Sequence, residues 1–168
     1  MKERLIKTLR ENSMPKGKMF KLTSGSHSNT YIDVKASYGV PGFLSLASLE
    51  LFRLIDHQNV TCVAGSGYGG IQLVASYVTL HYLPSSYVRP ERKEHGTEKQ
   101  IEGYFPNKKD KVVILDDVST KGKTLERIAN IIEEQTGAEI IQACVIIKRE
   151  ELGLKFPVKS ILTLDDLF

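Results

Sequence analysis

A chain of 168 residues is long enough for one domain with a substantial core, and its 41% hydrophobic and 26% charged residues are typical of a globular protein. The formal net charge of +3 is too small to indicate nucleic-acid binding, although locally clustered positive charge would suit an anionic small substrate. The chain has no run of about 18 apolar residues and no secretory signal pattern. We therefore expect no membrane span and a cytoplasmic protein in which Cys62 and Cys144 are free, buried thiols.

The first part of the chain predicts a helix, two short strands and a second helix. "MKERLIKTLRENS" (1–13) has apolar residues at helical spacing, and Pro41 begins another segment of the same kind. Between them, "MFKLTSGSHSNTYIDVKA" (19–36) indicates two short strands around a Ser/Gly/Asn turn.

Strands and helices then alternate to about residue 148. The polar segment 89–103 interrupts them and is predicted to be a loop or a flap. The predicted helices are "IQLVASYVTLHYL" (71–83) and a segment that begins after residue 124 and ends near Gly137. The predicted strands are "NVTCVAG" (59–65), "SSYV" (85–88), "KVVILDD" (111–117), "AEIIQACVIIK" (138–148) and "KSILTL" (159–164).

The apolar pattern of the central strands predicts the fold class. "VVIL" and "CVII" are apolar at successive positions, so both faces of these strands are buried. This indicates an α/β fold with a parallel sheet flanked by helices, in a single domain of residues 1–168. We expect a core of about 36–149 and a small hood from about 1–35 and 150–168. Ligands should bind where 65–70, 89–103 and 116–124 meet at the carboxyl edge of the sheet.

The segment "VVILDDVSTKGKT" (112–124) ends like a nucleoside-triphosphate P-loop, in Gly122-Lys123-Thr124. A P-loop needs a glycine five residues earlier, where this chain has Asp117. Residues 119–124 instead offer backbone N–H groups and hydroxyls at a helix N-terminus, which suit a monophosphate. Asp116 and Asp117 can accept hydrogen bonds from vicinal hydroxyls, so the segment predicts a site for a phosphorylated ribose.

The glycine-rich "GSGYGG" (65–70) matches the G-x-G-x-x-G dinucleotide fingerprint after a predicted strand. The acidic residue sought about 20 positions later would be Glu91, but it follows Arg89-Pro90, which ends the strand. We therefore favour a phosphate or pyrophosphate loop over a dinucleotide site. A tight turn of purely structural importance is the other alternative.

The segment Val112–Thr124 resembles the phosphoribosyl pyrophosphate (PRPP) motif of type I phosphoribosyltransferases. The resemblance extends over nearly the whole chain to the orotate phosphoribosyltransferase branch. "FKLTSGSHSNTYIDVK" (20–35), "VRPERKEHGTEKQIEG" (88–103) and "VIIKREELG" (145–153) are similar to that branch's N-terminal segment, catalytic flap and last arginine-containing segment. This resemblance implies that the protein transfers the phosphoribosyl group of PRPP to orotate, which gives orotidine 5′-phosphate and pyrophosphate in pyrimidine biosynthesis.

The resemblance also implies site residues, a cofactor and partners. The implied catalytic residues are Lys93, His95, Asp116 and Asp117. Those implied to bind PRPP are Arg89, Lys93, His95, Asp116, Asp117, Val118, Ser119, Thr120, Lys121, Gly122, Lys123 and Thr124. Gly67, Tyr68, Gly69 and Gly70 would form the pyrophosphate loop, and Tyr31, Thr120 and Arg149 would bind orotate. Mg²⁺ would be bound mainly through PRPP, without dedicated protein ligands, and a homodimer would place each flap at the neighbouring site.

Two positions depart from the family pattern and leave alternatives open. Pro90 stands where the family flap often has a lysine, and Thr23 stands where some members have another. Arg92 or Lys93 would then compensate, or the protein would be a PRPP-sensing regulator without turnover. The "KGKT" at 121–124 is similar to purine-salvage members, so a purine or uracil phosphoribosyltransferase is the third possibility.

Overall fold

The computed structural model describes residues 1–14, 20–21, 27–28, 32–91 and 99–168. Its helices are α1 (Lys2–Asn12), α2 (Val34–Tyr38), α3 (Phe43–Leu54), α4 (Gly67–His81) and α5 (Lys123–Thr136), followed by a 3₁₀ helix (Asp165–Leu167). Its strands are β1 (Phe20–Lys21), β2 (His27–Ser28), β3 (Cys62–Ser66), β4 (Ser85–Val88), β5 (Ile101–Gly103), β6 (Lys111–Ser119), β7 (Glu139–Lys148) and β8 (Val158–Thr163).

The main sheet has six strands in the order β5-β4-β3-β6-β7-β8. All neighbouring strands are parallel except β4 and β5, which are antiparallel. The predicted α/β fold with a parallel sheet is therefore confirmed. The predicted pair of short N-terminal strands is also confirmed, since β1 and β2 pair as a separate antiparallel sheet.

Both faces of the sheet are covered by helices, which explains the continuous apolar runs. Val113 and Leu115 of β6 belong to a core with residues of α1, α3 and α4. Val112 and Ile114 face the other way, into a core with residues of α5. All four are fully buried. Burying each such side chain stabilises the fold by about 1.5–3 kcal/mol.

The sequence-based prediction differs from the structure at three places. Val34–Tyr38 is a short helix and not part of a strand; it is anchored by the buried hydrogen bond between the Ser13 and Ser37 hydroxyls. Ile101–Gly103, predicted as flap, pairs with β4 at the sheet edge. Val158–Thr163, predicted as hood, pairs with β7 and extends the main sheet.

Across the described ranges, none of the helices has the length and apolar character needed to cross a bilayer.

Candidate active site

The carboxyl ends of β3, β4 and β6 lie at one edge of the sheet, as predicted. The glycine-rich segment at the end of β3 is not a loop, however. Gly65 and Ser66 end the strand, and Gly67–Gly70 form the first turn of α4. Gly67 has a φ of +64°, a conformation that glycine adopts without strain, and this lets the strand pass directly into the helix. The N–H groups of this turn have no carbonyl partner within the helix.

The glycines of this turn allow α4 to approach the two acids of β6. A Cβ on Gly69 would lie 2.4 Å from the Cγ atom of Asp117. A Cβ on Gly70 would lie 3.0 Å from the Leu115 carbonyl oxygen and 3.3 Å from Oδ1 of Asp116. Contacts this short exclude any larger residue unless the acids move. The turn therefore places helix N-terminal N–H groups directly beside two carboxylates.

Asp116 is buried, with 6% of its surface exposed. It lies within β6 and not in the loop after it, because β6 continues pairing with β7 as far as Ser119. Its Oδ1 accepts a hydrogen bond from the Asp117 backbone N–H at 3.0 Å. Burial, followed by the negative charge of Asp117, raises the pKa of Asp116 above its usual range. Asp116 therefore resists ionisation in the folded protein.

Asp117 is in contact with α2 as well as α4. Its Oδ1 accepts a hydrogen bond from the Val118 N–H at 2.8 Å, and its Oδ2 lies 3.4 Å from Nζ of Lys35. One helical turn after Lys35, the Tyr38 hydroxyl donates to the Gly69 carbonyl oxygen at 3.1 Å. Burial and the charge of Asp117 and Asp116 raise the pKa of Tyr38, so this hydroxyl keeps its proton. Sequence reasoning missed both α2 residues, although their i, i+3 spacing would place them on one helix face.

The loop after β6 is short and has the features expected of a phosphate cradle. Only residues 120–122 separate β6 from α5, and Gly122, with a φ of +71°, precedes the helix. The Ser119 hydroxyl is buried and has no hydrogen-bond partner among the described residues. The side chains of Thr120, Lys121, Lys123 and Thr124 are exposed, and that of Val118 is half-buried.

Arg127 of α5 is a second residue that sequence reasoning missed. Its Nη2 donates to the Ser66 hydroxyl at 3.1 Å, and its Nη1 donates to the Arg89 carbonyl oxygen at 3.4 Å. Arg127 thus connects α5 with the carboxyl ends of β3 and β4. It lies three residues after Thr124, where the sequence suggests only a helix surface.

The flap is described only at its base. The Arg89 N–H donates to the Gln100 carbonyl oxygen at 2.8 Å, and its Nε lies 2.9 Å from Oε1 of Glu102. The predicted flap residues Lys93 and His95, together with Arg92, lie outside the described residues. The same holds for Tyr31, predicted to bind orotate, and for Thr23.

Arg149, predicted to bind orotate, has its backbone next to the end of β6. Its backbone N–H donates to the Ser119 carbonyl oxygen at 2.9 Å, and its side chain is half-buried.

Tyr68, in the first turn of α4, is 84% exposed. Within the described ranges, no group of three or more His, Cys, Asp or Glu residues could hold a metal ion.

Comparison with known proteins identifies one family. Residues 47–168 match the phosphoribosyl transferase domain. The orotate phosphoribosyltransferase of Methanosphaera stadtmanae is 35% identical over 150 residues, which cover 89% of this chain and 83% of that protein. That of Pyrococcus furiosus is 35% identical over 153 residues, which cover 90% and 83%. The crystal structure of orotate phosphoribosyltransferase from Aeropyrum pernix superposes with a TM-score of 0.82 at 29% identity, covering 97% and 95% of the two chains.

Proposed function

The chain belongs to the phosphoribosyltransferase family, in its orotate phosphoribosyltransferase branch, and we propose that it transfers the phosphoribosyl group of PRPP to orotate. The products are orotidine 5′-phosphate and pyrophosphate, in the de novo synthesis of UMP. One observation carries the site assignment: the first turn of α4 lies against Asp116 and Asp117, at the edge where α5 also begins. Two helix N-termini beside two acids suit a sugar diol between two phosphate groups.

Each part of PRPP has a matching group in this arrangement. The 5′-phosphate is bound by residues 118–124, where the α5 N-terminus and the Ser119 hydroxyl, which has no partner in the described part of the chain, offer donors. The ribose hydroxyls donate to Asp117 and Asp116. The pyrophosphate accepts hydrogen bonds from the first turn of α4, Gly67–Gly70, whose N–H groups have no partner within the helix.

The chemistry requires stabilisation of a leaving group. The bond between ribose C1 and the pyrophosphate oxygen breaks, its electron pair leaves with pyrophosphate, and a pyrimidine nitrogen forms the new bond to C1. Negative charge therefore grows on pyrophosphate while the ribose becomes cationic, as in other glycosyl transfers. The α4 N-terminus and the flap residues Arg89, Lys93 and His95 stabilise that charge more in the transition state than in the ground state. Closure of the flap keeps water from the cationic sugar.

Magnesium is the proposed cofactor, held chiefly by the oxygens of PRPP. Asp116 and Asp117 lie beside the proposed ribose site, so a PRPP-bound ion there has carboxyl groups nearby without needing them as ligands. When bound, the ion neutralises part of the pyrophosphate charge.

Orotate is the proposed base because the site offers a guanidinium for its carboxylate. Arg149 is held beside the phosphate loop by its N–H bond to Ser119 and can bind a carboxylate in bidentate fashion. We propose that Tyr31 and Thr120 contribute to binding of the pyrimidine ring. Purines have no carboxylate, so Arg149 favours orotate over a purine.

A homodimer completes each site, with the flap of one subunit reaching the other. Exposed apolar side chains support this assembly: Leu49 and Phe52 on α3 and Leu80 on α4 are 39%, 40% and 41% exposed. Phe52 stacks on His81, so these residues of α3 and α4 are close together. We place the reaction in the cytoplasm, where the free thiols of Cys62 and Cys144 remain reduced.

The test is a panel of bases offered with PRPP and Mg²⁺. Pyrophosphate release is measured with orotate, uracil, hypoxanthine, xanthine and guanine. We expect turnover with orotate alone, and strong loss of orotate turnover in Arg149→Gln. Turnover of a purine without turnover of orotate would contradict the proposal. PRPP binding without product from any base would indicate a sensing role instead.

A further inference from the structure

Lys35 of α2 contacts two carboxylates at the edge of the proposed site. Its Nζ lies 2.9 Å from Oδ1 of Asp33 and 3.4 Å from Oδ2 of Asp117. Asp33 precedes α2 and Asp117 lies in β6, so the ammonium joins the N-terminal part of the chain to the central strand. The Lys35 side chain is 43% exposed and that of Asp117 only 14%, so Asp117 is the more sheltered partner.

The surroundings of Asp117 show why a cation matters there. Asp117 directly follows Asp116 in the sequence, and the pKa of Asp116 is raised by burial and by the charge of Asp117. Two neighbouring carboxyl groups in a poorly hydrated place do not ionise equally. The Lys35 ammonium contacts Oδ2 of Asp117, while Asp116 has no such contact in the described part of the chain.

The same contacts fix the orientation of the Asp117 side chain. The Val118 N–H holds Oδ1, Lys35 holds Oδ2, and Gly69 leaves no room for the carboxylate to move toward α4. Lys35 is itself held by Asp33. Burial alone lowers the pKa of Lys35, but contact with Asp33 and the charge of Asp117 outweigh it, so the pKa of Lys35 is raised and the cation persists.

We propose that Lys35 is a positioning residue for the transfer reaction: it holds the Asp117 carboxyl group in the orientation that accepts hydrogen bonds from the ribose diol. This inference rests on the proposed function, because the diol is that of PRPP. Lys35 acts through Asp117 and need not touch the substrate.

Lys35 is the cation among the described groups that face Asp117. The others are Asp33, which precedes α2, Tyr38 of α2 and Asp116 of β6, whereas Gly69, its neighbour on α4, carries no charge. Removing Lys35 therefore leaves Oδ2 of Asp117 without this contact and frees the carboxyl group to turn.

The experiment compares Lys35→Met, Lys35→Arg and the control Lys7→Met, in which an exposed lysine of α1 is lost. PRPP binding is measured by calorimetry, and kcat and KM for PRPP are determined separately. For Lys35→Met we expect about tenfold weaker PRPP binding and a KM for PRPP raised by a similar factor, with a much smaller change in kcat. Lys35→Arg should restore most of both, and Lys7→Met should equal the unmodified protein.

A direct readout keeps the inference testable without turnover. The carboxyl carbon resonance of Asp117 reports the surroundings of that group, and its chemical shift at fixed pH should change in Lys35→Met and return in Lys35→Arg. An unchanged Asp117 resonance and unchanged PRPP affinity in Lys35→Met would overturn the inference alone. Absence of PRPP binding by the unmodified protein would overturn the proposed function, and this inference with it. If Lys35→Met does not fold, the same measurements on Lys35→Gln decide.

Discussion

Replacing Gly69 by alanine tests whether close packing of α4 on the acids of β6 is needed for activity. The added Cβ would lie 2.4 Å from Cγ and 2.5 Å from Oδ2 of Asp117. Since non-bonded carbon contacts settle near about 3.5 Å, the carboxylate must move by roughly 1 Å. That movement disturbs its contacts with Val118 and Lys35. The helix itself gains up to about 1 kcal/mol, because alanine is the better helix former.

We therefore expect kcat/KM for PRPP to fall by about 100-fold in Gly69→Ala, because a displacement of this size is costly at a reacting centre. The thermal unfolding midpoint should be unchanged or slightly raised. Gly39→Ala is the matched control, since a Cβ there meets its nearest neighbour, the Ala36 carbonyl oxygen, at an ordinary 3.9 Å. Unchanged kcat/KM in Gly69→Ala would refute the reasoning. A loss of activity that merely follows loss of the folded state would refute it too.

Three further predictions follow from the charges of the site. Asp116→Asn should raise the free energy of unfolding at pH 8 by on the order of 2 kcal/mol. Because the pKa of Asp116 is raised in the folded state, the unmodified protein loses stability as the pH rises above about 4. Urea titrations should therefore show that the stability advantage of Asp116→Asn becomes smaller as the pH is lowered toward about 4. In steady-state kinetics, Asp117→Asn should mainly weaken PRPP binding, whereas Lys93→Ala should mainly lower kcat; unchanged turnover in Lys93→Ala would exclude the flap from the mechanism. Arg127→Met should lower kcat/KM by about tenfold by releasing Ser66, and Arg127→Lys should not restore it, because one ammonium cannot reproduce both guanidinium bonds.

The central sheet and the strand-loop-helix at 112–124 could be predicted because their signals are local. The strand, both acids and the start of the helix lie within 112–124, so the order of these elements can be read from one short segment. Likewise, burial on both faces leaves a continuous apolar run, as in β6 and β7. The ends of these elements were less predictable, since pairing with β7 extends β6 past Asp117 to Ser119.

The contacts that complete the site could not be predicted because they join distant parts of the chain. Lys35 and Asp117 are 82 positions apart, and Arg127 and Ser66 are 61 positions apart. Lys35 also lies in a five-residue helix, too short to show a helical period. The glycine-rich sequence indicated a phosphate site, but the reason for Gly69 is its approach to Asp117, which only the fold shows.

Formation of orotidine 5′-phosphate from orotate, PRPP and Mg²⁺ is the measurement that tests the central claim most directly. The nucleotide and pyrophosphate are quantified together in the same reaction, with Asp117→Asn as the matched variant. We predict equal amounts of the two products, formed by the unmodified protein and strongly reduced in the variant. Pyrophosphate released without the nucleotide, or product formed from a purine and not from orotate, would contradict the proposed reaction.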